Sequence, residues 1–248
     1  MNTHAIDLFK EKEQYLFIDS KDQRGLDLFG TFTIEAWICL ASLPSESNLF
    51  TILMKHDRVA STGGYELYIN RENKLVFEYG DDDSKNTTAS CDYIFTKNDI
   101  NIWKHVAVVV NVAIVDVQFY IGSIEQKTIL NYDDAKSIQK NSFPVIVGAT
   151  WQNEGSVSFF DGSIDELRVW SLLRTQKQIK EHQKKELKGD EDGLLAYWSF
   201  NNSFEDITKN NNVFISKNSV EYILEVPFEG ITEQKKNDNP PRGYVTFF

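Results

Sequence analysis

The segment FDGSIDELRVW, Phe160 to Trp170, constrains the fold more than any other stretch of the chain. It joins a turn to a strand and carries an aspartate where an apolar residue is expected. Side chains alternate across a strand with a period of two. On that period Asp165, Leu167 and Val169 share one face, while Ile164, Glu166, Arg168 and Trp170 share the other. Asp165 is therefore expected on the apolar, core-side face. A carboxylate there needs backbone donors or a cation to offset the cost of leaving water.

The rest of the chain follows the same period. From Tyr15 to about Phe160, short alternating or apolar runs are broken by clusters of Gly, Asn, Asp and Ser, which predicts antiparallel strands and turns. YELYINRENKLVFEY is the clearest hairpin, with a polar turn from Asn70 to Lys74 between β-prone arms. A single helix is expected from a capping box at Thr175 and Gln178 to near Leu187, before Gly189, packed on the rim of the strands. Residues 1–212 are read as one unit of antiparallel strands. Residues 213–248 are read as an extension whose strands pack on that unit or on a neighbouring subunit. Its last residues include Tyr244, Val245, Phe247 and Phe248, a β-prone tail that either closes its own sheet or adds to another chain's edge.

With 248 residues, 41% of them hydrophobic, the chain is long enough for one substantial core. A net charge of -11 argues against binding to nucleic acid or anionic membranes, both of which reward clustered Lys and Arg. No apolar run approaches a membrane span. The N-terminus lacks the basic and apolar regions of a secretory signal, so the expected location is the cytoplasm or a release route without a cleavable leader. Cys39 and Cys91 are read as reduced, buried thiols.

The ordered runs FTIEAWI, GGYELYI, KLVFEYG, WKHVAVVV and VQFYIG, followed by FDGSIDELRVW, resemble a laminin G-like domain of the concanavalin A-like lectin and glucanase superfamily, in its bacterial single-domain form. The resemblance runs from about Gln14 to about Thr208. It implies an antiparallel jelly-roll β-sandwich and a non-catalytic binding module, lectin-like, for a glycan or a cell-surface glycoprotein. The alternative it allows is a structural or assembly subunit of a larger particle or toxin-type complex, since such domains also occur in bacterial toxins and adhesins. Many jelly-rolls of this superfamily hold a structural calcium at the sandwich edge. The resemblance therefore makes Asp165 a candidate Ca2+ ligand, with Asp19, Asp22 and Asp161 as further carboxylates.

Glycan-cleaving relatives carry acids at alternating positions on one strand, whereas Asp165 and Glu166 are adjacent and Glu66 and Glu78 are single acids on two hairpin arms, read as solvated. His4, His56, His105 and His182 show no metal-binding spacing. Enzyme is thus the least favoured class. Glu35 and Arg168, each beside a Trp on its own strand, are expected to form a structural cross-strand ion pair. For ligand binding, Trp151 offers a face for sugar stacking, with Gln152 and Asn153 as hydroxyl partners. The loop of Asp81, Asp82 and Asp83 is a second rim candidate, although it also reads as a solvated hairpin end. Where relatives place a Gly- or Asp-rich turn, this chain has Val112, Ala113, Ile114 and Val115, an apolar tip that points to a protein partner or a homo-oligomer contact.

Overall fold

The structure is a computed structural model and describes residues 2–45, 48–58, 63–81, 85–133, 135–153 and 155–228. Its strands, in chain order, begin with β1 (Ala5–Leu8), β2 (Tyr15–Ile18), β3 (Thr31–Leu40), β4 (Phe50–Lys55), β5 (Gly64–Ile69) and β6 (Lys74–Gly80). They continue with β7 (Asn86–Ile94), β8 (Lys104–Asn111), β9 (Asp116–Ile121), β10 (Ile124–Gln126), β11 (Thr128–Asp133) and β12 (Val145–Val147). The last are β13 (Ala149–Gln152), β14 (Gly155–Phe159), β15 (Gly162–Trp170), β16 (Leu194–Trp198), β17 (Ile215–Lys217) and β18 (Glu221–Ile223), with helix α1 (Gln176–His182) between β15 and β16.

Two antiparallel sheets face each other. The back sheet runs β10-β9-β8-β3-β15-β1-β18, with β16 also on β15, and the front sheet runs β11-β7-β6-β5-β4-β12-β2-β17. A separate hairpin pairs β13 with β14. The sandwich follows from alternation: Ile34, Ala36 and Ile38 of β3 and Val106, Val108 and Val110 of β8 point inward from the back sheet, and Leu67, Ile69, Leu75 and Phe77 meet them from the front. Rings tilt against each other across the core, Phe32 to Phe77 at 5.7 Å and Phe50 to Phe160 at 5.4 Å between centroids.

Strand β15 departs from strict alternation. Asp165 pairs with Trp37 but Arg168 pairs with Glu35, so two residues, Glu166 and Leu167, intervene on β15 where β3 has one, Ala36. Glu166 absorbs the bulge with φ 51. Ile164 before the bulge and Leu167 and Val169 after it therefore all face the core. The expectation that Asp165 faces the core is thus corrected: its pairing with Trp37 puts it on the outer face. Gly162 opens the strand with φ 147, and a Cβ there would lie 2.1 Å from the Cys39 carbonyl oxygen, which explains why FDG and not another turn precedes β15.

The helix begins as read, with Thr175 and Gln178 closing both halves of the capping box. It ends at His182, short of Leu187, and lies on the outer face of the back sheet instead of the rim. Ile179 packs there on Ala107, Val109 and Tyr120. Termination has an electrostatic cause: the Arg168 guanidinium takes the carbonyls of His182 and Lys185 at 3.0 and 2.6 Å, so the chain turns to feed oxygens to the sheet. Residues 213–228 contribute one strand to each sheet, β17 on β2 and β18 on β1. Tyr244, Val245, Phe247 and Phe248 lie outside the described residues.

The apolar tip between β8 and β9 is only partly a surface. Val112 is buried in the core, its N-H bonded to Gly30 O, whereas Ile114 is 69% exposed and Val115 is half-buried at φ 53. Val112 is therefore withdrawn as an interface residue, because its side chain closes the end of the sandwich. Cys39 and Cys91 are buried, one in each sheet, and are not joined by a disulfide.

Candidate functional site

Both sheets carry polar side chains on their outer faces, and the two faces differ in access. On the back sheet, Glu35 sits opposite Arg168 in register, and their charged groups approach to 3.8 Å. That expected pair is present as the looser contact of a network. Glu35 takes a hydrogen bond from the Trp170 indole at 2.8 Å and lies 3.4 Å from the His105 ring, while Arg168 pairs more tightly with Glu166. Tyr197 donates to Glu166 at 2.8 Å, and the Arg174 guanidinium stacks on Trp170 at 3.8 Å. Burial alone would raise the Glu35 carboxyl, but His105 and Arg168 outweigh it and hold the group at about 2. With α1 and the following turn over it, this network is sealed and its role is structural.

The four acids suggested as calcium ligands do not converge. Asp165 accepts from Asn2 Nδ2 and from the Glu166 backbone N-H, both at 2.8 Å, and burial with the neighbouring Glu166 charge pushes its carboxyl well up, toward the neutral form. Asp19 and Asp22 are exposed in the turn after β2, in the opposite sheet. Asp161 accepts from Ser42 at 2.6 Å and faces Lys10. Calcium wants six to eight oxygens around one point. Among the described residues, no group of three His, Cys, Asp or Glu side chains is placed to hold a metal ion, so these residues do not fit the expected calcium site.

The outer face of the front sheet is different. Glu66 and Glu78, cross-strand neighbours on β5 and β6, were expected to be solvated, yet Glu66 is fully buried and Glu78 half-buried. The cause is Arg58, in the connection after β4, which reaches back to Glu66 with Nε at 2.8 Å and Nη2 at 2.6 Å. Its guanidinium lies 4.5 Å over the Tyr68 ring, and the Tyr68 hydroxyl donates to Glu78 at 3.4 Å. Thr51 donates to Glu66 at 2.6 Å, and the His56 ring is 3.2 Å away. Burial favours a neutral Glu66, but Arg58, His56 and Thr51 together hold its carboxyl at about 2.

Trp151 borders this cluster. Its carbonyl accepts from the Arg58 backbone N-H at 3.3 Å, and Thr150 beside it contacts Thr51 at 2.7 Å. The indole is half-buried on Met54, Ile146 and Ala149, alongside the partly exposed rings of Tyr15, Phe17 and Phe159. Gln152 is half-buried and Asn153 exposed at the turn. Asp81 lies on the other side of the same connection, where its carbonyl accepts from Gly63 N-H and its carboxylate from Lys85 N-H at 3.1 Å, so it is a buried turn residue more than a solvated tip. Asp82 and Asp83 lie outside the described residues. Two of the loops singled out in the sequence thus flank one patch, and its centre, Arg58 with His56 and Thr51, was missed. Glu66 and Tyr68 share one face of β5 by the period of two, but nothing in a linear reading reveals that a loop arginine folds back across them.

A laminin G-type family model matches residues 11–180. The chain belongs to the concanavalin A-like lectin/glucanases superfamily. Within that superfamily's fold, it is similar to a candidate carbohydrate-binding protein from Bacteroides ovatus, with 19% identity and a TM-score of 0.69 over 92% of this chain and 61% of the other. The chain therefore spans about three fifths of that protein's length. It is also similar to a heptameric SAP-like pentraxin from Limulus polyphemus, at 14% identity and a TM-score of 0.57 over 91% of this chain and 97% of the pentraxin. A third likeness is to the Ruminococcus gnavus IT-sialidase CBM40 bound to α2,3-sialyllactose, at 14% identity and a TM-score of 0.55 over 71% and 94%. No curated protein matches the sequence. These concanavalin A-like relatives establish the fold of the sandwich.

Two measurements test the networks. Arg168→Met is expected to lower unfolding free energy by about 3–5 kcal/mol, since it leaves buried carboxylates unpaired. In double-mutant cycles its coupling to Glu166→Gln should exceed its coupling to Glu35→Gln, and equal couplings would contradict the geometry. The second concerns acid. Glu66 has a folded value near 2 against an ordinary 4.5, so its stabilisation is complete above pH 4.5 and lost as pH falls through 2. Asp165 and Glu166, both raised, act in the opposite sense when they protonate. Glu66→Gln should therefore flatten the fall in stability between these pH values by roughly 3 kcal/mol, read from denaturant unfolding across the range.

Proposed function

We propose that this chain is a non-catalytic glycan-binding module whose site is the outer face of the front sheet. The observation that carries this reading is the meeting, on one face, of four partly exposed rings, Tyr15, Phe17, Trp151 and Phe159, with the hydrogen-bonding groups of His56, Arg58 and Glu78. Sugars present apolar C-H faces that pack on rings and hydroxyl edges that need donors and acceptors, and this patch offers both. The likeness to proteins named for carbohydrate binding supports it. A glycan on a cell-surface glycoprotein would meet the same chemistry.

Binding without cleavage is supported by the acids themselves. Glycoside cleavage needs one carboxyl raised enough to deliver a proton while the other stays ionised. Glu66 is held at about 2 and locked to Arg58, which suits a structural anion and not a proton donor. On a glycan array the protein should bind, and Trp151→Ala should weaken that binding roughly tenfold. A blank array, or reducing ends released from a bound glycan, removes this reading.

A second reading, attachment to a protein or to another copy of the chain, is favoured by the exposed side chain of Ile114 at the tip between β8 and β9, with half-buried Val115 beside it. It predicts concentration-dependent association in light scattering that Ile114→Ser abolishes; a monomer at every concentration excludes self-association.

A further inference from the structure

The charges around the front-sheet patch specify which glycans it can take. Arg58 is the guanidinium an acidic sugar would seek, but two of its nitrogens already converge on one oxygen of Glu66, and its face rests on Tyr68. Its charge is paired with Glu66 before any ligand arrives. Among the described residues, the carboxylates of Asp57, Glu66, Glu78 and Asp81 and the cations of Arg58 and Lys85 stand around the patch, with Lys85 exposed at the margin.

Glu78 is the acid a ligand would meet. It is half-buried beside a small cavity that His56, Asp57, Arg58 and Asn86 also line, and Tyr68 supplies it with one long hydrogen bond of 3.4 Å. An ionised carboxylate has about four acceptor sites, so capacity remains for sugar hydroxyls, which donate. A carboxylate, sulfate or phosphate on the ligand has no proton to give and would be repelled at the same distance. Hydroxyls gain from this surface and anions lose.

We infer that the front-sheet patch recognises neutral glycans and rejects those bearing carboxylate, sulfate or phosphate groups. The inference rests on the glycan-binding reading and goes further by naming the ligand class. Its selectivity comes from fixed charge, so it is sensitive to ionic strength, whereas a steric filter is not.

The test is binding of the full chain to matched neutral oligosaccharides and their sialylated, sulfated and uronate-containing counterparts, at low and at high salt, with Glu78→Gln beside the wild type. Binding confined to neutral members, with rejection of the acidic ones easing as salt rises and by roughly tenfold in Glu78→Gln, is the expected result. Wild-type binding of acidic members as strong as, or stronger than, that of their neutral counterparts overturns the inference and leaves the glycan-binding reading standing. Selectivity that responds to neither salt nor Glu78→Gln also overturns it. Should no glycan of either kind bind, the broader reading falls and this one with it. The salt series uses the unaltered protein, so it decides even if the variant folds poorly.

Discussion

Arg168 holds the back of this protein together. It is fully buried, and a guanidinium cannot shed its charge, so the surrounding chain must supply anions and oxygens to meet it. Glu166 and Glu35 provide the anions, and the carbonyls of His182 and Lys185 fill further donor positions. Those carbonyls can reach only because α1 stops where it does and the chain dips onto the sheet. Trp37 adds a further tie, its indole donating to the Gln183 carbonyl. One arginine thereby couples the bulge in β15, the length of the helix and the closure of an entire face.

The bulge makes that coupling geometrically feasible. With Glu166 in the left-handed region, β15 keeps Ile164 inside on one side of the irregularity and Leu167 and Val169 inside on the other. A regular strand would have exposed one of these sets and buried either Asp165 or Glu166 between the sheets. The extra residue instead gathers Asp165, Glu166 and Arg168 on the outer side, where hydrogen-bond partners exist. Backbone strain at one non-glycine residue is offset by satisfied charge and a continuous apolar core.

The proposed function follows from the asymmetry between the faces. The back face is covered by α1 and the segment after it, leaving its charges as internal scaffolding. The front face has a pre-formed arrangement of Arg58, Glu66 and Tyr68 at its centre and half-buried rings beside it. Because Glu66 already neutralises Arg58, the side chains that position this patch are settled before a ligand arrives, which lowers the ordering cost of binding.

The runs FTIEAWI, KLVFEYG and WKHVAVVV determined the strands, because burial of apolar side chains with period two depends on local order alone, and their order along the chain carried the family resemblance that implies two layers. The capping box at Thr175 was local in the same sense, and it set the start of α1. Tertiary structure decided the rest. The bulge arises from pairing with β3, the helix end from a guanidinium arriving from another strand, and the burial of Glu66 from a loop arginine that crosses a hairpin. Ion pairs and hydrogen bonds between distant segments have no periodic signature in a sequence, so the residues at the centre of the candidate site became visible only when the sheets brought them together.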